Sequence, residues 1–77
     1  HAFSNFFGVL LQALARLLLL LGREGQALEL GRRGVQLAPA RPLYFAHVLS
    51  LAGEHEEALM LYSEYIERYE DEPWQQQ

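Results

Sequence analysis

LGREGQALEL, residues 21–30, recurs 31 residues later in altered form as AGEHEEALML, residues 52–61. In each copy a small breaker residue, Gly22 or Gly53, is followed by charged or polar residues and then by an alanine with a leucine behind it. A largely apolar segment precedes both copies. Glycine commonly ends helices because it adopts the left-handed conformation without strain. The repeated stretch therefore predicts a duplicated helix-turn-helix in which two helices meet at each glycine.

The apolar residues recur with helical period along the whole chain, and no segment alternates as a half-buried strand would. Ser4 is a candidate N-cap for the first helix, and Pro42 suits the first position of the third. Pro39 and Pro73 are expected to end the second and fourth helices. We predict an all-α chain with four helices, near residues 4–21, 24–37, 42–52 and 54–70.

The first predicted helix is rich in leucine and phenylalanine. Residues 6–21 contain only Gln12 and Arg16 as strongly polar residues, but sixteen residues fall short of the roughly 20 that span a bilayer. On a helical wheel a broad apolar arc stands opposite a small and polar side. The arc contains Phe3, Phe6, Phe7, Leu10, Leu11, Leu14, Leu17, Leu18 and Leu21, and the other side contains Ser4, Asn5, Gly8, Gln12, Ala15 and Arg16. We expect an amphipathic helix with its apolar arc in the core, and no membrane span.

Two glycines, Gly31 and Gly34, lie inside the second predicted helix, where each is about 1 kcal/mol less favourable than alanine. Their three-residue spacing leaves a notch on one side of the helix. We predict that Tyr44 or Phe45 of the next helix fills this notch. A phosphate-binding glycine loop explains the glycines less well, because no strand precedes them.

The net charge of −4 is divided unevenly along the chain. Residues 1–53 carry five arginines against two glutamates, a charge of +3, whereas residues 54–77 carry eight acids against one arginine, a charge of −7. An acidic chain without lysine or a basic stripe argues against a nucleic-acid partner. Hydrophobic residues make up 51% of the sequence, which suggests that part of this surface meets another chain or a further part of the same protein. Because no initiator Met is present, we expect a piece of a longer protein.

Side chains suited to catalysis or metal binding are scattered. His47 and His55 fall on different predicted helices, and neither has an HExxH context or a helical partner ligand. The serines lack any supporting histidine and acid, and without cysteine there is no thiolate site. We therefore expect neither an enzyme nor a bound metal or cofactor.

The two copies resemble tetratricopeptide repeats, in which antiparallel helix pairs of about 34 residues stack into a solenoid. Gly22 and Gly53 match the small residue that ends helix A of that family, and Ala27 and Ala58 match the helix B alanine. The matching core positions are Leu11, Leu14, Ala15, Leu18, Phe45, Ala46, Leu49 and Tyr62. Gly31 departs from the pattern, since a large aromatic residue is usual there. A plain four-helix arrangement without true repeats stays open.

The resemblance implies one domain, residues 1–77, that forms a right-handed solenoid fragment with repeats at about 4–39 and 41–73 and a tail at 74–77. It also implies a concave groove that binds a peptide or partner protein. By registration from the two glycines, the groove is lined by Gln12, Arg16, Leu19, Leu20, Leu43, His47, Ser50 and Leu51. Arg16 and His47 occupy equivalent positions and suit a peptide with one acidic group and apolar anchors. Such a module is expected to act as a cytoplasmic, non-catalytic scaffold or adaptor.

Self-association through the terminal helices is the alternative function. Two repeats are fewer than the three or so that a solenoid usually needs, and the oppositely charged halves of the chain complement each other. Val9, together with Leu19 and Leu20, falls on or beside the polar side of the first helix and has no place in a single core. The predicted self-association residues are Val9, Tyr62, Tyr65, Ile66 and Tyr69. A homo-oligomer or a larger protein assembly is then expected.

Overall fold

The computed structural model describes residues 2–69, and side chains within residues 3–68. It contains four helices: α1 (Ala2–Leu20), α2 (Glu24–Leu37), α3 (Leu43–Leu51) and α4 (His55–Tyr69). No strand occurs within residues 2–69, so the predicted all-α class and the four helices are confirmed, with ends within two residues of those expected. Ser4 lies inside α1, and Pro42 directly precedes α3. The predicted end of the fourth helix at Glu70 and the roles of Pro73 and the tail fall outside the described residues.

The same glycine turn closes both helix pairs. Gly22 and Gly53 have φ of 79° and 86°, a region that disfavours any residue with a Cβ. After α1, the Arg23 N–H donates to Leu18 O at 2.9 Å. After α3, the Glu54 N–H donates to Leu49 O at 2.8 Å. These bonds satisfy carbonyl groups that a helix end leaves unpaired. The turns predicted at the two glycines are therefore confirmed in backbone detail.

Helices α1 and α2 cross at two glycines. A methyl group built on Gly8 would lie 2.5 Å from Gly34 O, and one built on Gly34 would lie 2.5 Å from Gly8 O. Nearer the turn, Leu18 of α1 lies beside Gln26 and Leu30 of α2, so the two helices run antiparallel. The missing side chains allow the two backbones to touch. Gly34 thus faces α1, and not the aromatic residues of α3 as the sequence suggested.

The other glycine of α2 does receive an aromatic ring. A methyl group on Gly31 would overlap the Phe45 ring of α3, and Phe45 is buried. Arg32 covers this contact from outside: its guanidinium carbon lies 5.6 Å from the centre of the Phe45 ring. Arg32 also pairs with Glu57 of α4 at 2.8 Å. The predicted contact between Gly31 and Phe45 is confirmed, whereas Tyr44 is exposed.

The core lies around α3, the helix that packs against each of the other three. Helix α1 packs against α2 and α3, and α3 packs against both α2 and α4. The buried cluster consists of Ala15, Phe45, Val48, Leu49 and Ala58, and the half-buried residues packed on it include Leu19, Leu28, Leu30, Val35, Leu61 and Tyr62. Alanine accounts for five of the eight apolar residues that are buried in the described part of the chain, so the helices approach closely but bury little large apolar surface.

Helix α1 faces the opposite way from the sequence prediction. Gly8, Gln12 and Ala15, all on its small and polar side, are buried, whereas Leu14 of its apolar arc is exposed. Size explains the inversion better than polarity: the close crossing with α2 has no room for leucine or phenylalanine. The expectation that the apolar arc faces the core is therefore wrong. Most of the largest apolar side chains of α1 lie on the surface of the described chain.

Candidate protein-binding surfaces

Gln12, predicted to line a peptide groove, is instead fully buried. Its Nε2 donates to Arg41 O at 2.9 Å, and its Oε1 accepts the Phe45 N–H at 2.9 Å. Phe45 is the third residue of α3, so this N–H is one of the first four in the helix, which have no partner within it. No side chain at the N-cap of α3 satisfies them. Gln12 therefore caps α3 from another helix, and its buried side chain does not line a surface groove.

The rest of the predicted groove divides into exposed and packed residues. Arg16 and His47 are exposed, as are the large residues Leu20, Leu43 and Leu51. Leu19 packs against the core, and Ser50 is half-buried. Arg16 follows Gln12 by one turn and lies on the side of α1 away from Leu18, which lines a cleft with residues of α2. The exposed residues of the predicted groove thus lie on the neighbouring helices α1 and α3. They combine the hydrogen-bond donors of Arg16 and His47 with three leucine side chains.

The predicted self-association residues are mostly covered. Tyr62 packs against the core, and Tyr65 lines a small cleft with Val35 and Pro39. Val9 is half-buried, and the side chain of Tyr69 lies outside the described residues. Ile66 is 63% exposed. Tyr62 and Tyr65 therefore contribute to the fold of the chain itself more than to a free surface.

A larger apolar surface runs along α1. We call it the α1 stripe, and it consists of Phe3, Phe7, Leu10, Leu14, Leu17 and Leu21, with exposures between 40% and 75%. Phe6 and Leu20, on its edge, are also exposed. The rings of Phe3 and Phe7 meet edge to face with their centres 6.0 Å apart. Contiguous exposed apolar side chains of this kind mark interaction sites in soluble proteins.

Residue size along α1 gives a partial indication of the position of the stripe. Gly8, Gln12, Ala15 and Leu19 recur at spacings of four, three and four residues, the periodicity of a helix face. Small residues on such a face permit close helix packing even where a polar residue interrupts them. Ranking the residues by hydrophobicity alone missed this signal.

Length and composition leave a membrane span open for α1. The segment Phe3–Leu20 is long and apolar enough to cross a bilayer, and 17% of it is buried. This segment is longer than the residues 6–21 considered from the sequence. Core helices of soluble proteins and signal sequences pass the same test. Length and composition therefore do not identify what covers the α1 stripe, whereas the spacing of its residues bears on that question.

Two clefts among the described residues lie beside α2, one next to α1 and one next to α4. Their volumes are about 160 and 140 Å³, below the roughly 300–1,000 Å³ of ligand pockets. Within residues 2–69 no group of three or more potential metal ligands comes together. Comparison with known proteins adds no functional site, since no family model, curated protein or solved structure matches the chain.

Proposed function

We propose that this chain is a non-catalytic module that binds other proteins through the exposed faces of α1 and α3. The observation that carries the proposal is the exposure of large apolar side chains on these helices, while small residues fill the core. Surfaces of this composition are normally covered by a partner. The two helix pairs closed by the same glycine turn support a further part of the proposal, that they are repeats of one tetratricopeptide-like unit.

The faces of α1 and α3 suit an extended peptide. Packed helices lie about 8–10 Å apart, a distance that a few extended residues cover. Leu20, Leu43 and Leu51 offer apolar contacts, and Arg16 and His47 offer hydrogen-bond donors on the same two helices. Neither Arg16 nor His47 has an ion pair among the described residues. A peptide with one carboxylate between apolar anchors matches this set.

Binding of synthetic peptides tests the groove. The probes are short peptides with a glutamate between leucines, compared with the same peptides carrying glutamine. We expect the wild-type chain to prefer the glutamate peptides. Arg16→Ala and His47→Ala should each weaken their binding about two- to fivefold, because one exposed charge contact is worth up to about 1 kcal/mol. Fluorescence anisotropy measures the affinities.

Arg23→Ala is the matched control, because Arg23 is exposed in the turn after α1 and lies outside the groove. It should leave the affinity unchanged. Equal affinity for the glutamate and glutamine peptides, or equal effects of all three substitutions, would contradict the role of the groove.

Self-association is a second candidate function, and the α1 stripe favours it. The stripe is longer and more continuous than the groove, and it contains no charged residue. An uncharged helix face can be covered by an identical face without leaving a charge unpaired. For self-association through the stripe, the spacing of its residues indicates the partner and the geometry.

A further inference from the structure

We propose that the α1 stripe pairs with the α1 stripe of a second copy of this chain, the two helices running antiparallel about a two-fold axis. The proposal rests on the proposed protein-binding function and names the partner for its largest apolar surface. Its basis is the spacing of the stripe, its freedom from charge and the direction of the helix dipoles.

The stripe has the spacing of a coiled-coil seam. Its residues follow one another at intervals of four, three, four, three and four positions, which is the heptad pattern that keeps one helix face against a partner. The amphipathic helix of a globular core usually carries a broader and less regular face. The stripe extends from Phe3 to Leu21, the first residue after α1, which is 18 residue steps or about 27 Å at 1.5 Å per residue. It therefore fits one straight helix of similar length.

The same spacing is symmetric about Gln12. An antiparallel partner placed on this centre sets Phe3 opposite Leu21, Phe7 opposite Leu17, and Leu10 opposite Leu14, and each pairing occurs twice. The four outer layers each join a phenylalanine to a leucine, and the two central layers each join two leucines. In every layer an a position of one heptad faces a d position of the other helix. This is the arrangement of antiparallel helix pairs. A second copy thus covers every residue of the stripe.

The residues that flank the stripe allow an identical stripe to pack against it. The flanking positions are Ser4, Phe6, Leu11, Ala13, Leu18 and Leu20. None is charged, whereas heterotypic coiled coils select their partners by charges at these positions. Arg16 is the one charged residue of α1 and lies off the stripe. An antiparallel pair also sets the positive end of each helix dipole beside the negative end of the other.

Helix α4 of a second copy is a poorer partner, despite its opposite charge. Its exposed apolar residues, Leu59, Met60 and Ile66, alternate with the exposed glutamates Glu56, Glu64 and Glu67. Covering the α1 stripe with this face would remove carboxylates from water without a matching cation on the stripe, which is unfavourable. The charge difference between the two halves of the chain can speed the encounter of two copies. It does not favour α4 as the cover of the stripe, because the stripe itself carries no charge.

Sedimentation equilibrium of the full chain and of two charge variants tests the pairing. The wild type should form a species of twice 8.8 kDa at micromolar concentration. Leu10→Glu and Leu14→Lys should each raise the dimer dissociation constant about 100-fold, because each places two unpaired charges in the apolar layers. Mixing the two variants should restore a dimer, since the antiparallel register sets the new carboxylate opposite the new ammonium. Circular dichroism should show unchanged helix content, because both positions are exposed.

Ile66→Glu is the matched control on α4, at a residue of similar exposure, and should leave the dimer intact. A monomer at all concentrations would overturn the pairing, as would dissociation by Ile66→Glu but not by Leu10→Glu. Failure of the mixture to associate would overturn the antiparallel register. Wild-type binding to phosphatidylcholine vesicles that is lost in Leu14→Lys would assign the stripe to lipid instead. A monomer that still prefers the glutamate peptides would leave the proposed function standing, and a dimer without that preference would remove only the groove.

Discussion

Replacing Gly34 with leucine should destabilise the chain by about 3 kcal/mol or more, the upper range for overpacking. A Cβ at this position would meet Gly8 O at 2.5 Å and the backbone nitrogen of Gln12 at 3.1 Å. Backbone atoms have no alternative rotamer, so α1 and α2 would have to separate along their whole crossing. Urea denaturation followed by circular dichroism measures the loss of unfolding free energy.

Gly25→Ala is the control for this substitution, because Gly25 also lies in α2. No neighbouring atom lies within 4 Å of a Cβ built on Gly25. There the gain in helix propensity should stabilise the chain by up to about 1 kcal/mol. The pair of variants therefore has effects of opposite sign. Equal stability of Gly34→Leu and the wild type would show that α1 and α2 do not cross at this glycine.

Gln12→Leu should destabilise the chain by about 2–4 kcal/mol, even though leucine is the more hydrophobic residue and close in size. The substitution leaves the Phe45 N–H and Arg41 O without the partners that Gln12 supplies at 2.9 Å. An unsatisfied buried polar group costs about 1–3 kcal/mol. Thermal and urea denaturation of the variant measure the effect.

Gln36→Leu provides the comparison, since Gln36 is exposed on α2. A surface substitution there should change the unfolding free energy by less than about 0.5 kcal/mol. If Gln12→Leu were as stable as Gln36→Leu, then the amide of Gln12 would not hold α3 against α1. A gain in stability would mean that the position belongs to an ordinary apolar core.

The helices and their turns could be predicted because local features determine them. Gly22 and Gly53 end helices through their own backbone freedom, and the apolar period of each segment is helical. The contact of Gly31 with Phe45 was also predictable, because a glycine inside a helix is unfavourable without a close neighbour. None of these inferences required knowledge of which helix packs on which.

The orientation of α1 could not be predicted in the same way. A helical wheel ranks residues by polarity, and on that scale the Phe and Leu arc belongs inside. The structure instead places Gly8 and Ala15 inside, because the crossing with Gly34 depends on how closely two backbones approach. The choice between the two faces depends on a residue 26 positions further along the chain, which periodicity within α1 does not contain.

The exposure of the proposed groove residues was predicted in part. Registration from the glycines placed Arg16 and His47 on helix faces that are exposed, as a groove requires. It also placed Gln12 there, where the structure buries it. A glutamine among apolar residues gave no indication of its partners, since Arg41 O and the Phe45 N–H come from the backbone of a distant segment and carry no side-chain signal.

The orientation of α1 places its small residues inside and its large apolar residues outside. Labelling of single cysteines tests it most directly, because the natural sequence contains none. The variants are Ala15→Cys, Leu14→Cys and, as an exposed reference on α4, Ser63→Cys. At concentrations low enough to keep the chain monomeric, a thiol reagent should modify the Leu14 and Ser63 variants rapidly. It should modify the Ala15 variant only as the chain unfolds. Rapid labelling at position 15 with protection at position 14 would contradict the account, because α1 would then present its apolar arc to the core.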